Sequence, residues 1–428
     1  MYKVPFDRGE LTFDLPAGWQ GAVVESKIAV PVKSVPWAVE AALAHPTNSP
    51  PLRRLAGPGD RVCIVFTDVT RASPDALLVP PVLADLEAAG VRDEDITLLC
   101  GIGLHRPSTL EERIAKLGEA VVGRYRVIDN EPLNPSALVD LGTTESGIPL
   151  SVHKAAYEAD LLIATGIVEP HQYAGYSGGR KTLAVGAAGE AMIAYTHGPK
   201  MVDHPGTRLG RIEGNPFHEA VSEAARRAGL RFIVNVVQDD QKRVVHVGAG
   251  EPEATFQELV AFARTLYEVA VPQQYDVAVA GVGFPKDANL YQASRAASYL
   301  FFAPTPVVKP GGFFITPAPC GEGAGEGVGE QRFLRAMQQA PNIQFILDDA
   351  RKNGYPPGQQ RAFVMAKVLE QNEVIIVGAE DPELIRSAKM LPAPTMEAAF
   401  AMVRAKLGDG LDVLVVPHAL LTLPIVQG

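Results

Sequence analysis

Cysteine, tryptophan and positive charge are all scarce in this sequence. It has three cysteines and two tryptophans, and 39 lysines and arginines stand against 49 aspartates and glutamates, a net charge of −10. That balance argues against nucleic acid or an anionic membrane surface as partner. An anionic substrate must therefore be held by a few local cations. Cys63, Cys100 and Cys320 have no metal-like spacing, and no CxxC, HExxH or comparable cluster occurs. Two of them fall in expected buried strands as small apolar residues, which fits a reducing cytoplasm. The start, Met1-Tyr-Lys-Val-Pro5, lacks an apolar signal core. The longest apolar stretches are broken by proline, glycine or histidine, as in Asp412 to Val426, so a cytoplasmic protein without a membrane span is expected. No strand-to-helix turn of the first domain reads GxGxxG with an acidic residue about twenty positions on, the mark of a dinucleotide site.

What the sequence does contain is a steady alternation of strand and helix patterns. Strands are expected near 61–66, 95–100, 160–165 and 231–237, with helices near 74–89, 109–117 and 216–228 ending at Gly90, Gly118 and Gly229. Ser73-Pro74 reads as a cap followed by a first-turn proline, Ser108-Thr-Leu-Glu111 as a capping box, and Asn215-Pro216 as a third helix start. A helix from about Glu253 to Ala270 precedes new strands near 275–280, 311–316, 373–377 and 412–416. The chain of 428 residues is thus expected to form two doubly wound, Rossmann-like α/β domains, 1–270 and 271–428, with the active site in the cleft between them. The low-complexity run Gly321 to Glu330 reads as a mobile acidic surface loop or as a lid over that cleft.

Three strand-to-helix corners carry unusual polar groups. Asp68-Val-Thr-Arg71 follows the first strand, Gly103-Leu-His-Arg106 the second, and Glu169-Pro-His-Gln-Tyr-Ala-Gly-Tyr-Ser-Gly-Gly-Arg-Lys181 the apolar run Asp160 to Thr165. Ligands of open α/β sheets bind at such ends. The amides of Ser177, Gly178 and Gly179 suit an anion nest, where glycine removes the Cβ that would block close approach. Arg71 offers a fork for a carboxylate, and Asp68 can orient Arg71 or a nearby imidazole. The competing reading, a surface pair between Asp68 and Arg71, is disfavoured by the buried strand just before it. His204, His218 and His246 read as structural.

These motifs, with Tyr195-Thr-His197 and Tyr291-Gln292 in the same order and spacing, resemble the nickel-pincer lactate racemases and related 2-hydroxy-acid racemases and epimerases. The resemblance covers nearly the whole chain. It implies a nickel pincer nucleotide, a pyridinium-3-thioamide-5-thiocarboxylate mononucleotide, held covalently on Lys181, with His197 completing the nickel coordination. It also implies cofactor-synthesis and nickel-insertion proteins as partners. A lone imidazole is a poor nickel site unless the cofactor brings the other donors, and a lysine at a helix start is ordinarily solvated. The motif supports the functional reading of both.

In that setting His105 and His171 are the acid/base pair for the substrate hydroxyl, since imidazole works in both directions near neutral pH. Asp68, Ser177, Gly178 and Gly179 would contact the cofactor, and Arg71, Gln292, Arg295 and Tyr355 the substrate. The departure from the lactate-type pattern is Arg295 in place of a lysine and Tyr355 in place of an indole. A guanidinium is broader, planar and keeps its proton, so the resemblance leaves lactate as one candidate among lactate, malate, phenyllactate, other short 2-hydroxy acids and sugar acids. The alternatives are a nicotinamide-dependent 2-hydroxy-acid dehydrogenase and a non-catalytic carboxylate- or nickel-binding protein.

Overall fold

Strands Val62–Thr67 and Leu161–Ile167 are buried at every position, a pattern that requires a sheet covered on both faces. A computed structural model of the chain describes residues 1–356 and 358–427; Pro357 and Gly428, the latter the expected end of the second domain, lie outside the described residues. The chain divides into two units. One, the Lys181 unit, comprises Ile28–His197 and Ile212–Leu266. The other, the Arg295 unit, comprises Met1–Lys27, Gly198–Arg211 and Tyr267–Gly428.

The sheet of the Lys181 unit runs Val244–Gly250, Leu230–Gln238, Leu161–Ile167, Val62–Thr67, Ile96–Gly101, Arg126–Asp129. Only Val244–Gly250 is antiparallel to its neighbour. Numbered along the chain, the order is 3-2-1-4-5-6, so the direction of winding reverses between Val62–Thr67 and Leu161–Ile167. That switch point is where a doubly wound sheet opens a crevice for a ligand. Ile64, Phe66, Leu98, Ile163 and Val234 fill the core beneath it.

The Arg295 unit has a second six-stranded sheet, all parallel, ordered Leu391–Ala393, Glu373–Val377, Val308–Pro317, Tyr275–Ala280, Asp412–Val416, Gln20–Val23. Doubly wound α/β architecture in both halves agrees with the sequence reading. The expected division into 1–270 and 271–428 does not describe the units, although the switch near Tyr267 lies close to it. Gln20–Val23 pairs with Asp412–Val416, and the hairpin Tyr2–Phe6 with Gly9–Phe13 adds Val4 and Phe13 to the same core. Pairing between the chain's two ends leaves no local signature.

Two helix starts shift from expectation. Helix Asp75–Ala88 begins after Pro74 without a side-chain cap, because the Ser73 hydroxyl donates to Asp75 instead, at 3.1 Å. The capping box belongs to Thr109 and Glu112, since Ser108 is drawn to Asp129 through its amide (3.0 Å) and hydroxyl (2.6 Å). The glycine-rich run is tied down: Glu322 N–H donates to Ala288 O, Gly323 O accepts from Leu290 N–H, and Ala324 is buried.

Candidate functional site

The loop after Leu161–Ile167 is locked by its own serine. The Ser177 hydroxyl donates to Ile167 O at 2.6 Å and accepts from Glu169 N–H at 3.1 Å, while Ser177 N–H donates to Glu169 O at 2.9 Å. Of the three amides expected to form an anion nest, that of Ser177 is therefore committed within the loop. Packing within the unit itself demands Gly178 and Gly179. A Cβ at Gly178, whose φ is +152°, would stand 2.9 Å from the Phe256 ring, and one at Gly179 2.9 Å from Asn235 Nδ2. A Gly179→Ala variant is expected to lose at least about 1 kcal/mol of stability from overpacking, read by urea denaturation. Beyond the short helix Gly179–Lys181 the chain enters a π-turn, Thr182–Gly186, a conformation frequent at functional sites.

Lys181 is half-buried. Desolvation by the surrounding protein, followed by the positive charge of Arg71 and opposed by Glu169, pushes its ammonium down to about 7. Near neutral pH a large share of it is then free amine, the form able to attack or hold an acyl carbon. An amine-specific acylating reagent is expected to label Lys181 of unloaded protein with an apparent pKa near 7, against 10.5 for an unperturbed lysine. Labelling that keeps rising to pH 10 would contradict this.

Asp68 is buried directly after Val62–Thr67, and its Oδ2 stands 2.5 Å from His105 Nδ1. Oδ1 accepts from the Thr70 amide at 3.2 Å and its hydroxyl at 2.6 Å. Burial opposes the ionised Asp68, yet the hydrogen bonds of His105 and Thr70 and the charges of His105 and Arg71 outweigh it, holding the carboxyl below its ordinary value. A carboxylate at Nδ1 assigns that proton to Nδ1 and leaves the Nε2 lone pair of the exposed His105 available. Of the two partners the sequence offered Asp68, the imidazole is the one it orients. Arg71 is exposed, contrary to expectation, because the turn closed by its N–H on Asp68 O at 3.1 Å swings it outward.

Beneath that turn lies a buried knot that the sequence reading missed. Lys116 Nζ pairs with Asp75 at 2.8 Å and donates to Thr67 Oγ1 (2.9 Å), Ser73 O (2.7 Å) and Arg71 O (3.3 Å). Asp75 also accepts from the hydroxyls of Thr67 (2.7 Å) and Thr165 (2.6 Å). Both strands of the switch point and the Asp68–Arg71 turn are thereby fastened to one ammonium. A Lys116→Met variant should cost about 3–5 kcal/mol, because it strands a buried carboxylate. Chemical denaturation measures it.

His171 sits on the short hairpin Pro170–His171 with Gly175–Tyr176. Its Nδ1 accepts from the amides of Tyr173 (3.2 Å) and Ala174 (3.1 Å), so a neutral ring carries its proton on Nε2. His197 ends helix Glu190–Thr196, with Nδ1 3.0 Å from Ile193 O. A carbonyl there fixes the Nδ1–H tautomer and leaves the lone pair of the ring on Nε2. Burial first, then Lys181 and Arg71, push the His197 ring down to about 4, so it stays neutral. The rings of Tyr173 and Phe217 join the two histidines, with centroids 5.8 and 6.1 Å from His171 and 5.8 and 5.2 Å from His197. Among the described residues no group of three or more His, Cys, Asp or Glu side chains could hold a metal. A nickel ion at His197 would need donors from outside the chain.

In the Arg295 unit, Arg295 donates to Gln292 Oε1 at 3.1 Å and to the Tyr299 hydroxyl at 2.7 Å. Half-buried Tyr355 packs on Phe363, with ring centroids 5.7 Å apart. The three remaining histidines of the sequence reading serve the framework. His204 accepts from Gly206 N–H, His218 stacks on Phe256, and His246 stacks on Phe262.

Titratable groups whose basicity burial and neighbouring charge have altered, set at the ligand end of a doubly wound sheet, mark an α/β enzyme. Residues 6–210 match the lactate racemase N-terminal domain and residues 271–423 the lactate racemase C-terminal domain. The chain is 33% identical over 387 residues to a lactate racemase of Lactiplantibacillus plantarum, covering 89% of each. It is 29% identical over 421 residues to a lactate racemase of Thermoanaerobacterium thermosaccharolyticum, covering 97% of each. The structure of the lactate racemase apoprotein from the latter organism superposes with a TM-score of 0.86, covering 100% of this chain and 99% of that one. The chain belongs to the lactate racemase family, as its motifs implied. No described helix is long and apolar enough to cross a membrane.

Proposed function

We propose that this protein racemizes or epimerizes a 2-hydroxy acid, lactate or a close relative, with a nickel pincer nucleotide tethered to Lys181. The observation that carries the reading is the Lys181 amine, brought to about 7 at the switch point beside a neutral His197. Lys181 would bear the group and His197 would hold its nickel through Nε2. When bound, the pyridinium would supply an electrophilic carbon suited to reversible hydride chemistry at the substrate C2.

The side chains do the rest. Asp68 holds His105 with Nε2 ready to take the hydroxyl proton, and the Nε2–H of His171 donates a hydrogen bond to the substrate oxygen from the opposite face. Arg71 is the carboxylate-binding group of the Lys181 unit, and Gln292, Arg295 and Tyr355 are the substrate-binding groups of the Arg295 unit. Gly178 and Gly179 lend their amides to the nucleotide phosphate. Loading depends on cofactor-synthesis and nickel-insertion proteins, and the protein works in the cytoplasm.

A 2-deuterated hydroxy acid tests this. With loaded protein and no added NAD, the mirror-image or epimeric product is expected to retain deuterium, formed more slowly by a primary isotope effect. A hydrogen α to a carboxylate is too weakly acidic for an unaided imidazole, whereas its departure as hydride needs only an electrophilic carbon nearby. Complete washout of deuterium into solvent would establish direct proton abstraction instead.

A further inference from the structure

Two glycines hold the turn after Lys181 and the turn before His105 against each other. Gly101 ends the strand Ile96–Gly101, four residues before His105, and Gly186 ends the turn Thr182–Gly186 that follows Lys181. A Cβ at Gly186 would stand 2.8 Å from Gly101 O and 2.9 Å from Gly101 Cα. One at Gly101 would stand 3.0 Å from Thr182 O and 3.2 Å from Gly186 Cα. Every one of those atoms is backbone, so no side chain can rotate away. Neither glycine has a positive φ. Close approach of two main chains, rather than an unusual conformation, is what requires glycine at both positions.

Hydrogen bonds close the contact on both sides. Gly103 N–H donates to Gly186 O at 2.8 Å, and His105 N–H closes the next turn on Ile102 O at 2.9 Å. Asn130, 3% exposed, spans the junction: its backbone N–H donates to Cys100 O at 3.0 Å and its side-chain Nδ2 to Ala188 O at 2.9 Å. The Thr182 hydroxyl donates to Thr165 O at 2.8 Å, which fixes the other end of the turn to the strand Leu161–Ile167. The path from Lys181 to His105 therefore runs through one backbone junction and needs no flexible side chain. Asp68 orients the His105 ring, whereas this junction sets where the backbone beneath the ring stands relative to Lys181.

We propose that Gly101, Gly186 and Asn130 are positioning residues, which fix the distance between His105 and the group borne by Lys181. The proposal rests on the racemase reading above, in which His105 meets the hydroxyl oxygen while the group on Lys181 faces C2, two atoms joined by one bond. Groups that act on bonded atoms must keep their separation to a fraction of an ångström. An ordinary Cβ contact is 3.4–4 Å, so Gly186→Ala pushes the two main chains apart by roughly half an ångström. Gly101→Ala, with wider contacts, pushes them less.

Two measurements provide the test. Loaded protein is supplied separately with lactate, malate and phenyllactate, with products resolved by chiral chromatography, and amide hydrogen exchange of the unloaded full chain is followed by NMR. On the acid turned over fastest, Gly186→Ala is expected to lower kcat by about 10-fold or more while KM stays within about threefold. The Lys181 adduct and the nickel should remain at the wild-type level. Exchange at the Gly103 amide should quicken by at least about tenfold, and Gly101→Ala should move both readings the same way by less. Gly248→Ala, whose Cβ would stand 3.0 Å from the Leu259 side chain, should lose stability by the same kind of crowding yet change neither reading. Gly186→Ala with kcat within about twofold of wild type, or with unchanged exchange at Gly103, overturns the proposal, as does a loss of the adduct that accounts for the loss of kcat. If Gly186→Ala does not fold, Asn130→Ala, which removes the clamp without adding bulk, decides by the same two readings. Faster Gly103 exchange in the variants of a protein whose wild type racemizes none of the three acids would uphold the junction and remove the racemase reading, so the two failures are distinguishable.

Discussion

Lys181→Ala is expected to reduce turnover to the uncatalysed level, a loss of at least about six orders of magnitude if the enzyme lies at the lower end of ordinary enzymatic acceleration. Wild-type protein made with the cofactor-synthesis machinery should carry a covalent adduct on Lys181 and one nickel per chain, and the variant neither. Intact mass and metal analysis report both, independently of activity. The variant should remain folded, since alanine at 181 removes a group whose charged form the fold disfavours. The linkage has a definite sign. The folded pKa of about 7 lies below the unperturbed 10.5, so the native state binds fewer protons between those values and Lys181 makes stability rise with pH across that window. The variant should lack that contribution. Full activity in protein of unmodified mass would sink the assignment of Lys181.

The second large effect is expected at the imidazole and carboxylate of the switch point. His105→Ala should lower kcat/KM by roughly 10²–10⁴-fold, the ordinary worth of a positioned acid or base. Asp68→Asn should give a smaller loss, because the ring remains and only its tautomer and orientation are released. Asp68 carboxyl titrates below its ordinary value, so the stabilisation it contributes is present above the usual carboxylate range and is lost only as pH falls through the depressed value. Activity through pH 5 should therefore show no acid limb from Asp68. His105→Ala kinetics within twofold of wild type, at unchanged substrate affinity, would remove His105 from the chemistry.

Much of this arrangement is legible in the sequence. Val62–Thr67, Leu161–Ile167 and Tyr275–Ala280 stand within a residue or two of their expected positions, because runs of apolar residues ended by glycine or polar turns carry their own boundaries. The helix starting at Pro216 was equally plain, since the Asn215 side chain caps it. Ser73 and Ser108 misled for a shared reason: each has the right side chain for a cap, and each is drawn instead to a carboxylate, Asp75 or Asp129, which sequence proximity alone does not resolve.

Lys116 escaped notice because a lysine in an amphipathic helix reads as solvated. Its burial depends on Asp75 and Thr67 arriving from a different strand and helix. At Gly178 and Gly179, where the sequence calls for glycine so that an anion can approach, the structure adds a second reason: a Cβ would clash with Phe256 or Asn235.

The sequence by itself determined the class of fold, the loops at which chemistry gathers and the residue types standing there, because strand and helix periodicity, turn residues and motif order are properties of neighbouring positions. Only the tertiary structure decided that the chain's first residues complete the second sheet, that Asp68 serves His105 rather than Arg71, that the Lys181 ammonium is brought down to about 7, and that His197 is held neutral. Those outcomes depend on desolvation and charge acting across space, between groups such as Arg71 and Lys181 that are far apart along the chain and meet only when strands one and four of the sheet lie side by side.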